Sequence, residues 1–196
     1  MIAFKHTKCG GAEYLSHLDL LRHIDRTLRR AHIKVGSSGG FHPHPKIFMN
    51  NPLALGVESY AEYCAADADF TGDFKEVFNF YSPDGIKCID FKFTDKNPNY
   101  ANTVTGCVYT AEGIAPFNTD EYLLRKEIKI TDLRDRETDI RGRIYGLEFK
   151  DGKLYFKLGC GQNNLRPDLF AKILQDEFGG CARKITKISA VGEFTF

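Results

Sequence analysis

Residues able to do chemistry crowd into one end of this chain. All six histidines (His6, His17, His23, His32, His42 and His44) fall within the first 44 of its 196 residues. His17, Asp19 and His23 lie close together, and a neutral imidazole beside a carboxylate suits proton transfer or metal binding. A plainer role is open to the same residues. Asp19, three residues after Ser16, fits a capping box at a helix start, and His23 follows Asp19 at surface-pair spacing. Arg22, Arg26, Arg29 and Arg30 form a stripe at i, i+4, i+7 and i+8, and guanidinium groups so placed can grip phosphates bidentately. A solvated face laced by the Asp25–Arg29 pair is the competing reading.

The segment Gly36-Ser37-Ser38-Gly39-Gly40-Phe41-His42-Pro43-His44-Pro45-Lys46 is the most unusual stretch. Its glycines let backbone amides approach an anion, and its prolines stiffen the residues that follow. In an extended segment His42 and His44 share a side, which suits a metal or a phosphate. Two histidines are an incomplete metal set, and His17 is the one plausible third ligand, which requires the helix start to fold onto the loop. A rigid connector is the bland alternative, but exposing Phe and His favours a binding loop.

Stepping outward, Ile2–Lys8 reads as a strand with Ile2, Phe4 and His6 on one face. Leu21, Ile24, Leu28 and Ala31 recur at helical spacing, which predicts an amphipathic helix over 17–32 that Gly36 terminates. Strands over 46–50 and 62–69, a short helix over 73–80 and a strand over 86–93 follow. The polar segment 94–102 reads as a linker. A second pass gives a strand at 103–110, a helix at 118–126, a hairpin 141–149/153–158 turned by Asp151-Gly152, a helix at 167–178 and a strand at 184–194. The expected fold is therefore α+β: two tandem ferredoxin-like (βαββαβ) halves with antiparallel sheets, residues 1–95 and 103–196. One irregular α+β domain is the alternative.

Bulk properties narrow the function classes. The formal charge is +1, yet residues 1–50 hold eight Lys/Arg against three Asp/Glu, residues 51–95 hold three against nine, and the remainder hold 16 against 14. The six cysteines are scattered, with no Cys-x-x-Cys pair, so they read as small buried hydrophobes of a reducing compartment. No phosphate-binding lysine loop, nucleophile elbow or dinucleotide fingerprint is present, so no cofactor is expected. With no apolar stretch long enough for a membrane span or a signal peptide, a cytoplasmic protein is expected.

Four ordered blocks carry a resemblance: Ser16-His17-Leu18-Asp19-Leu20-Leu21-Arg22, Leu28-Arg29-Arg30-Ala31, Ser38 through Lys46, and Leu53-Ala54-Leu55-Gly56-Val57-Glu58-Ser59. They resemble the bacterial radical SAM-linked family, which has no assigned function and occurs alone or joined to a radical SAM enzyme. Ser37, Gly39 and His42 depart from the family pattern, whereas His17 and His44 match it. The resemblance implies a radical SAM enzyme as partner. This chain has no clustered cysteines of its own for an iron–sulfur cluster. A weaker, architectural likeness is to CRISPR repeat-processing endoribonucleases, which bind RNA.

Three functions compete on these grounds. The first is a non-catalytic accessory module in which His17, Asp19, Arg22, Arg26, Arg29, Arg30, Gly40, Phe41, His44, Pro45 and Lys46 hold RNA or another anionic substrate for the partner enzyme. The second is an adaptor whose basic end docks on that enzyme. The third is a metal-independent ribonuclease with His17 or His44 as its acid/base. The histidines and the local +5 thus read as one binding corner built around His17 and His44.

Overall fold

A computed structural model describes residues 1–131 and 137–192. The fold is mixed α+β with antiparallel strand pairing, divided into two compact units, Met1–Val104 and Thr105–Val191. The last two residues of the strand expected at 184–194 lie outside the described residues.

The first unit runs β1 (Ile2–Lys8), α1 (His17–Arg30), β2 (Ile47–Met49), β3 (Glu58–Ala66), α2 (Phe74–Tyr81) and β4 (Cys88–Phe93). Its strands lie in the order β4-β1-β3-β2, each neighbouring pair antiparallel. Alternation along β1 sends Ile2 and Phe4 toward the helices. There they join Leu20, Ile24 and Leu28 of α1, Phe74 and Phe78 of α2, and Cys64 and Ala66 of β3. Phe4 stands at the centre, with ring centroids 5.0 Å from Phe74 and 5.2 Å from Phe78. Full burial of one such side chain contributes about 2–3 kcal/mol.

Differences from the expected elements have local causes. The apolar seam of α1 runs through Leu20, Ile24 and Leu28, with Leu21 only partly covered. The helix stops at Arg30, well short of Gly36, because His32 adopts a left-handed φ of 56° and the Ile33 amide turns back to the Leu28 carbonyl (2.9 Å). β3 begins at Glu58 and ends at Ala66, four residues earlier at its start than alternation suggested, because both faces of its second half are covered. The supposed linker contains α3 (Tyr100–Thr103), whose Tyr100 is buried and packs 5.4 Å from the Tyr63 ring. Polar neighbours hid that aromatic anchor.

The second unit runs β5 (Val104–Ile114), α4 (Thr119–Leu123), β6 (Lys129–Thr131), β7 (Glu137–Asp139), β8 (Ile144–Lys150), β9 (Lys153–Gly159), α5 (Pro167–Phe178) and β10 (Gly180–Gly192). Its main strands lie in the order β10-β5-β9-β8. Asn118 caps α4 by accepting from the Glu121 amide (3.1 Å), as its type suggested. The β8–β9 hairpin turns on Asp151 and Gly152, at φ 51° and 73°, the left-handed pair such a two-residue turn requires. The small β6–β7 ribbon has no counterpart in the sequence reading. Of the cysteines, Cys64, Cys88 and Cys107 are buried, Cys9 and Cys160 are half-buried, and Cys181 is exposed, contrary to the expectation for all six. No helix among the described residues is long and apolar enough to cross a membrane.

Candidate functional site

The residues expected to form one corner occupy opposite ends of α1. His17 is the first residue of this 14-residue helix and the loop follows its last, so they are separated by roughly 21 Å of helix at 1.5 Å per residue. The register of the sheet agrees. The loop returns into β2, which pairs with the Ala66 end of β3, whereas His17 feels the charges of Lys8 and Glu62 near the other end of β1. His17 therefore cannot be a third ligand to His42 and His44. Among the described residues, no three His, Cys, Asp or Glu side chains are placed to hold a metal.

At the carboxyl end, the loop is held at its base. The Gly36 amide donates to the Asp67 carbonyl (2.7 Å), the Lys46 amide donates to Gly36 (2.8 Å), and Lys46 Nζ meets Asp67 Oδ2 at 3.2 Å. Higher up, Ser37 bridges Pro45, the Ser38 amide donates to the His44 carbonyl (2.8 Å), and the His44 amide donates to Ser38 Oγ (2.9 Å). Gly40 turns the tip at φ 102°. Nothing lies within 4 Å of where its Cβ would be, so backbone conformation rather than space calls for glycine. Phe41 on that tip is 102% exposed, and His42, Pro43 and His44 are exposed with it. Beneath the loop an open cavity of about 490 Å³ is lined by Asp25, Arg29, His32, Lys34, Ser37 and Pro45.

Not all of the basic stripe is available. Arg22 Nη1 pairs with Asp19 Oδ1 (3.0 Å) and Arg29 Nε with Asp25 Oδ2 (2.9 Å), both on one helix, the guanidinium exposed in each pair and Asp25 half-buried. These are worth about 0.3–0.5 kcal/mol and exchange readily for an incoming phosphate. Arg30 is committed differently. Its Nη2 donates to the Tyr81 carbonyl (2.9 Å) and Thr27 Oγ1 (3.3 Å), closing the carboxyl end of α2. Arg30 thus caps α2 with one guanidinium nitrogen while its side chain stays exposed. Arg26 is exposed midway along α1.

At the amino end, Ser16 Oγ accepts from the Asp19 amide (3.1 Å) and donates to Asp19 Oδ2 (2.7 Å). These bonds, the Ser16 hydroxyl first and the Arg22 guanidinium next, hold the Asp19 carboxyl below its ordinary value of 3.8. Asp19 is thus the capping acid of α1. His17 feels the charge of a polar cluster of which the sequence reading had only His6. His6, Lys8, Ser59 and Glu62 are all buried, and His6 pairs in register with Glu62 and Lys8 with Ser59. Ser59 Oγ donates to Glu62 Oε1 (2.8 Å), and Lys8 Nζ donates to the Glu13 carbonyl (3.3 Å). Burial pushes Lys8 below its ordinary value of 10.5 against the pull of Glu62 and Glu13. Burial likewise pushes His17 below 6.5, with Glu62 raising it and Lys8 lowering it further. One signal was available: the alternation of Ile2, Phe4 and His6, continued one step, puts the Lys8 charge on the core-facing side of a strand.

A family model described as an uncharacterised protein conserved in bacteria (DUF2344) matches residues 2–167, and the chain belongs to that family. The description names no partner, so the radical SAM link rests on the motif blocks alone. No curated protein matches. The fold is similar to a chain in a crystal structure of a Cbf5-Nop10-Gar1 complex, at a TM-score of 0.51 and 10% identity. That alignment covers 98% of this chain and 50% of the other, so the chain spans about half its neighbour's length. At such identity the likeness is one of fold alone.

Proposed function

We propose that this DUF2344 member is an accessory module that holds single-stranded RNA for a partner enzyme. The motif blocks point to a radical SAM enzyme as that partner. The observation that carries this reading is the cavity under the loop, whose lining includes Arg29 of α1, His32, Lys34 and Ser37, together with the fully exposed Phe41 at the tip of the same loop. A cationic groove paired with an aromatic stacking surface is the usual arrangement for binding single strands without sequence preference. With His32 neutral, Arg29 and Lys34 against Asp25 leave the lining at +1. The carboxyl end of a helix also carries partial negative charge. Affinity is therefore modest and stacking carries much of it. The strand orders β4-β1-β3-β2 and β10-β5-β9-β8 support reading the two units as tandem ferredoxin-like halves.

The test is fluorescence anisotropy with a short labelled single-stranded RNA. Binding should weaken with salt at a slope of about −1 to −2 in log K against log salt, because few phosphates are neutralised. Phe41→Ala should cost about tenfold, since base stacking on an aromatic contributes roughly 1–3 kcal/mol. Absence of binding at low salt, or binding that ignores both Phe41→Ala and the Arg29→Ala/Lys34→Ala double change, sinks the reading. Nuclease-insensitive co-purification with a partner enzyme would favour a protein adaptor instead.

A further inference from the structure

We infer that the cavity beneath the loop is a subsite for a terminal phosphomonoester, the phosphate at an end of an RNA strand, and that His32 is a ligand-contacting residue of it. The inference deepens the RNA reading of that same site and rests on it for the strand that carries the phosphate.

The first reason is the residue type at the end of α1. The Ile33 amide donates to the Leu28 carbonyl (2.9 Å) and the His32 amide to the Arg29 carbonyl (3.1 Å), while Ile33 is buried and joins Leu28 in the core. Such a turn needs a left-handed residue at position 32, where glycine is the usual choice and asparagine the next. His32 holds a φ of 56° there and is exposed. A Cβ destabilises that conformation, and an exposed side chain recovers little of the loss through packing. The residue instead lines the cavity. Strain of this kind beside a cavity is a mark of a ligand-contacting position.

The second reason is the donor set. Beside His32, the cavity is lined by Arg29, Lys34 and Ser37. Among the described residues, the side chains of His32, Lys34 and Ser37 have no hydrogen-bond or ion-pair partner, and Arg29 engages only Nε, with Asp25 Oδ2 at 2.9 Å. Both Nη groups of Arg29 are left for a ligand. Asp25, the acid in the lining, is held by that bond, so its charge is offset within the protein. A phosphomonoester offers three acceptor oxygens and close to two charges, more than a phosphate inside the strand can offer. Four donor side chains around one cavity suit the terminal group. A volume of about 490 Å³ also falls within the range of small-molecule sites.

The third reason is the frame. Lys34 stands between Ile33 and Val35, of which the first is buried and the second bridges Ala68. Ser37 bridges Pro45. The donors therefore sit on backbone tied to the core and to the loop base before any ligand arrives, which lowers the ordering cost of binding. The carboxyl end of a helix opposes an anion. Here the Thr27, Leu28 and Arg29 carbonyls already accept the Ala31, Ile33 and His32 amides, so much of that opposing partial charge is taken up inside the protein.

The experiment uses the whole chain and fluorescence anisotropy with one RNA sequence in three forms: with a 5′-phosphate, with a 3′-phosphate, and with hydroxyls at both ends. A phosphorylated form should bind about tenfold more tightly than the hydroxyl-ended form, the effect of one or two charge-assisted hydrogen bonds. His32→Gly should bring that ratio close to one while the thermal midpoint holds or rises, because glycine relaxes the left-handed turn. Lys34→Ala should lower the ratio at least about threefold without changing the midpoint. A purely structural His32 would behave in the opposite way, its replacement lowering the midpoint and leaving the ratio alone. A second probe reads the subsite without a strand: NMR titration of the Lys34 and Ser37 amides with uridine monophosphate and with uridine. The nucleotide should shift those amides at millimolar concentration and the nucleoside should not. Equal affinity for all three RNA forms overturns the proposal and leaves RNA binding itself standing. Amide shifts that are the same for both small probes overturn it as well. If no RNA binds while the nucleotide still shifts the amides, the strand-holding reading falls and the phosphate subsite stands.

Discussion

The two ends of α1 handle charge in opposite ways. At the amino end, Lys8 and Glu62 are buried, each with a hydrogen bond that fixes it from inside. At the carboxyl end, Arg29, Lys34 and Lys46 lie on the surface, Arg29 paired with Asp25 and Lys46 with Asp67. Buried charges are costly to remove one at a time and act on the pKa of their neighbours. Exposed ones contribute little to stability and are free to change partner. One end is thus built for fixed electrostatics and the other for exchange with a ligand.

The sharpest way to break this contrast is Glu62→Ala. It removes the charge that favours the buried Lys8 ammonium and leaves Ser59 Oγ without its acceptor, and a loss of about 1–3 kcal/mol is expected in urea unfolding. The double change Lys8→Met/Glu62→Leu should recover most of that loss. If it is no more stable than Glu62→Ala, the two charges are not coupled. Next in size is the Ser16→Ala cap removal, at about 1 kcal/mol. It should also let the Asp19 carboxyl rise toward 3.8, as followed by side-chain NMR.

Acidification should separate the two ends without mutation. Burial keeps the folded His17 midpoint below the ordinary 6.5, so as pH falls below 6.5 the unfolded chain binds the proton first. Stability from this group is full above 6.5 and is lost as pH falls through the lower folded value. Thermal unfolding should fall more steeply between pH 6.5 and 5 in the unaltered chain than in His17→Asn. The smallest effect belongs to the carboxyl end: Arg29→Ala should change stability by no more than about 0.5 kcal/mol. A larger loss would show that Arg29 is structural, as Arg30 is.

Parts of both units were legible because their signals are local. Ser16 and Asp19 three residues apart specify a cap whatever lies around them, and Asp151-Gly152 specifies a two-residue turn. The capping bond of Arg30 was not legible because its partner, the Tyr81 carbonyl, is distant in sequence. His32 was misread because its left-handed φ is uncommon for a histidine. Tyr100 was lost among polar neighbours in a segment whose composition resembles a linker.

The amino-acid sequence by itself determined the cap of α1 and the Ile24 and Leu28 part of its core seam, the turn chemistry of the β8–β9 hairpin and the presence of an exposed glycine–proline loop. Each follows from residues a few positions apart. Only the tertiary structure decided which chemical groups share a site. His17 and His44 belong to the same short stretch of chain, yet a helix of 14 residues holds them apart. Lys8, His17 and Glu62 are scattered through 55 positions, yet the register of β1 on β3 and the docking of the helix start bring their charges together. Strand pairing and helix packing act through space, and no spacing along the chain records them.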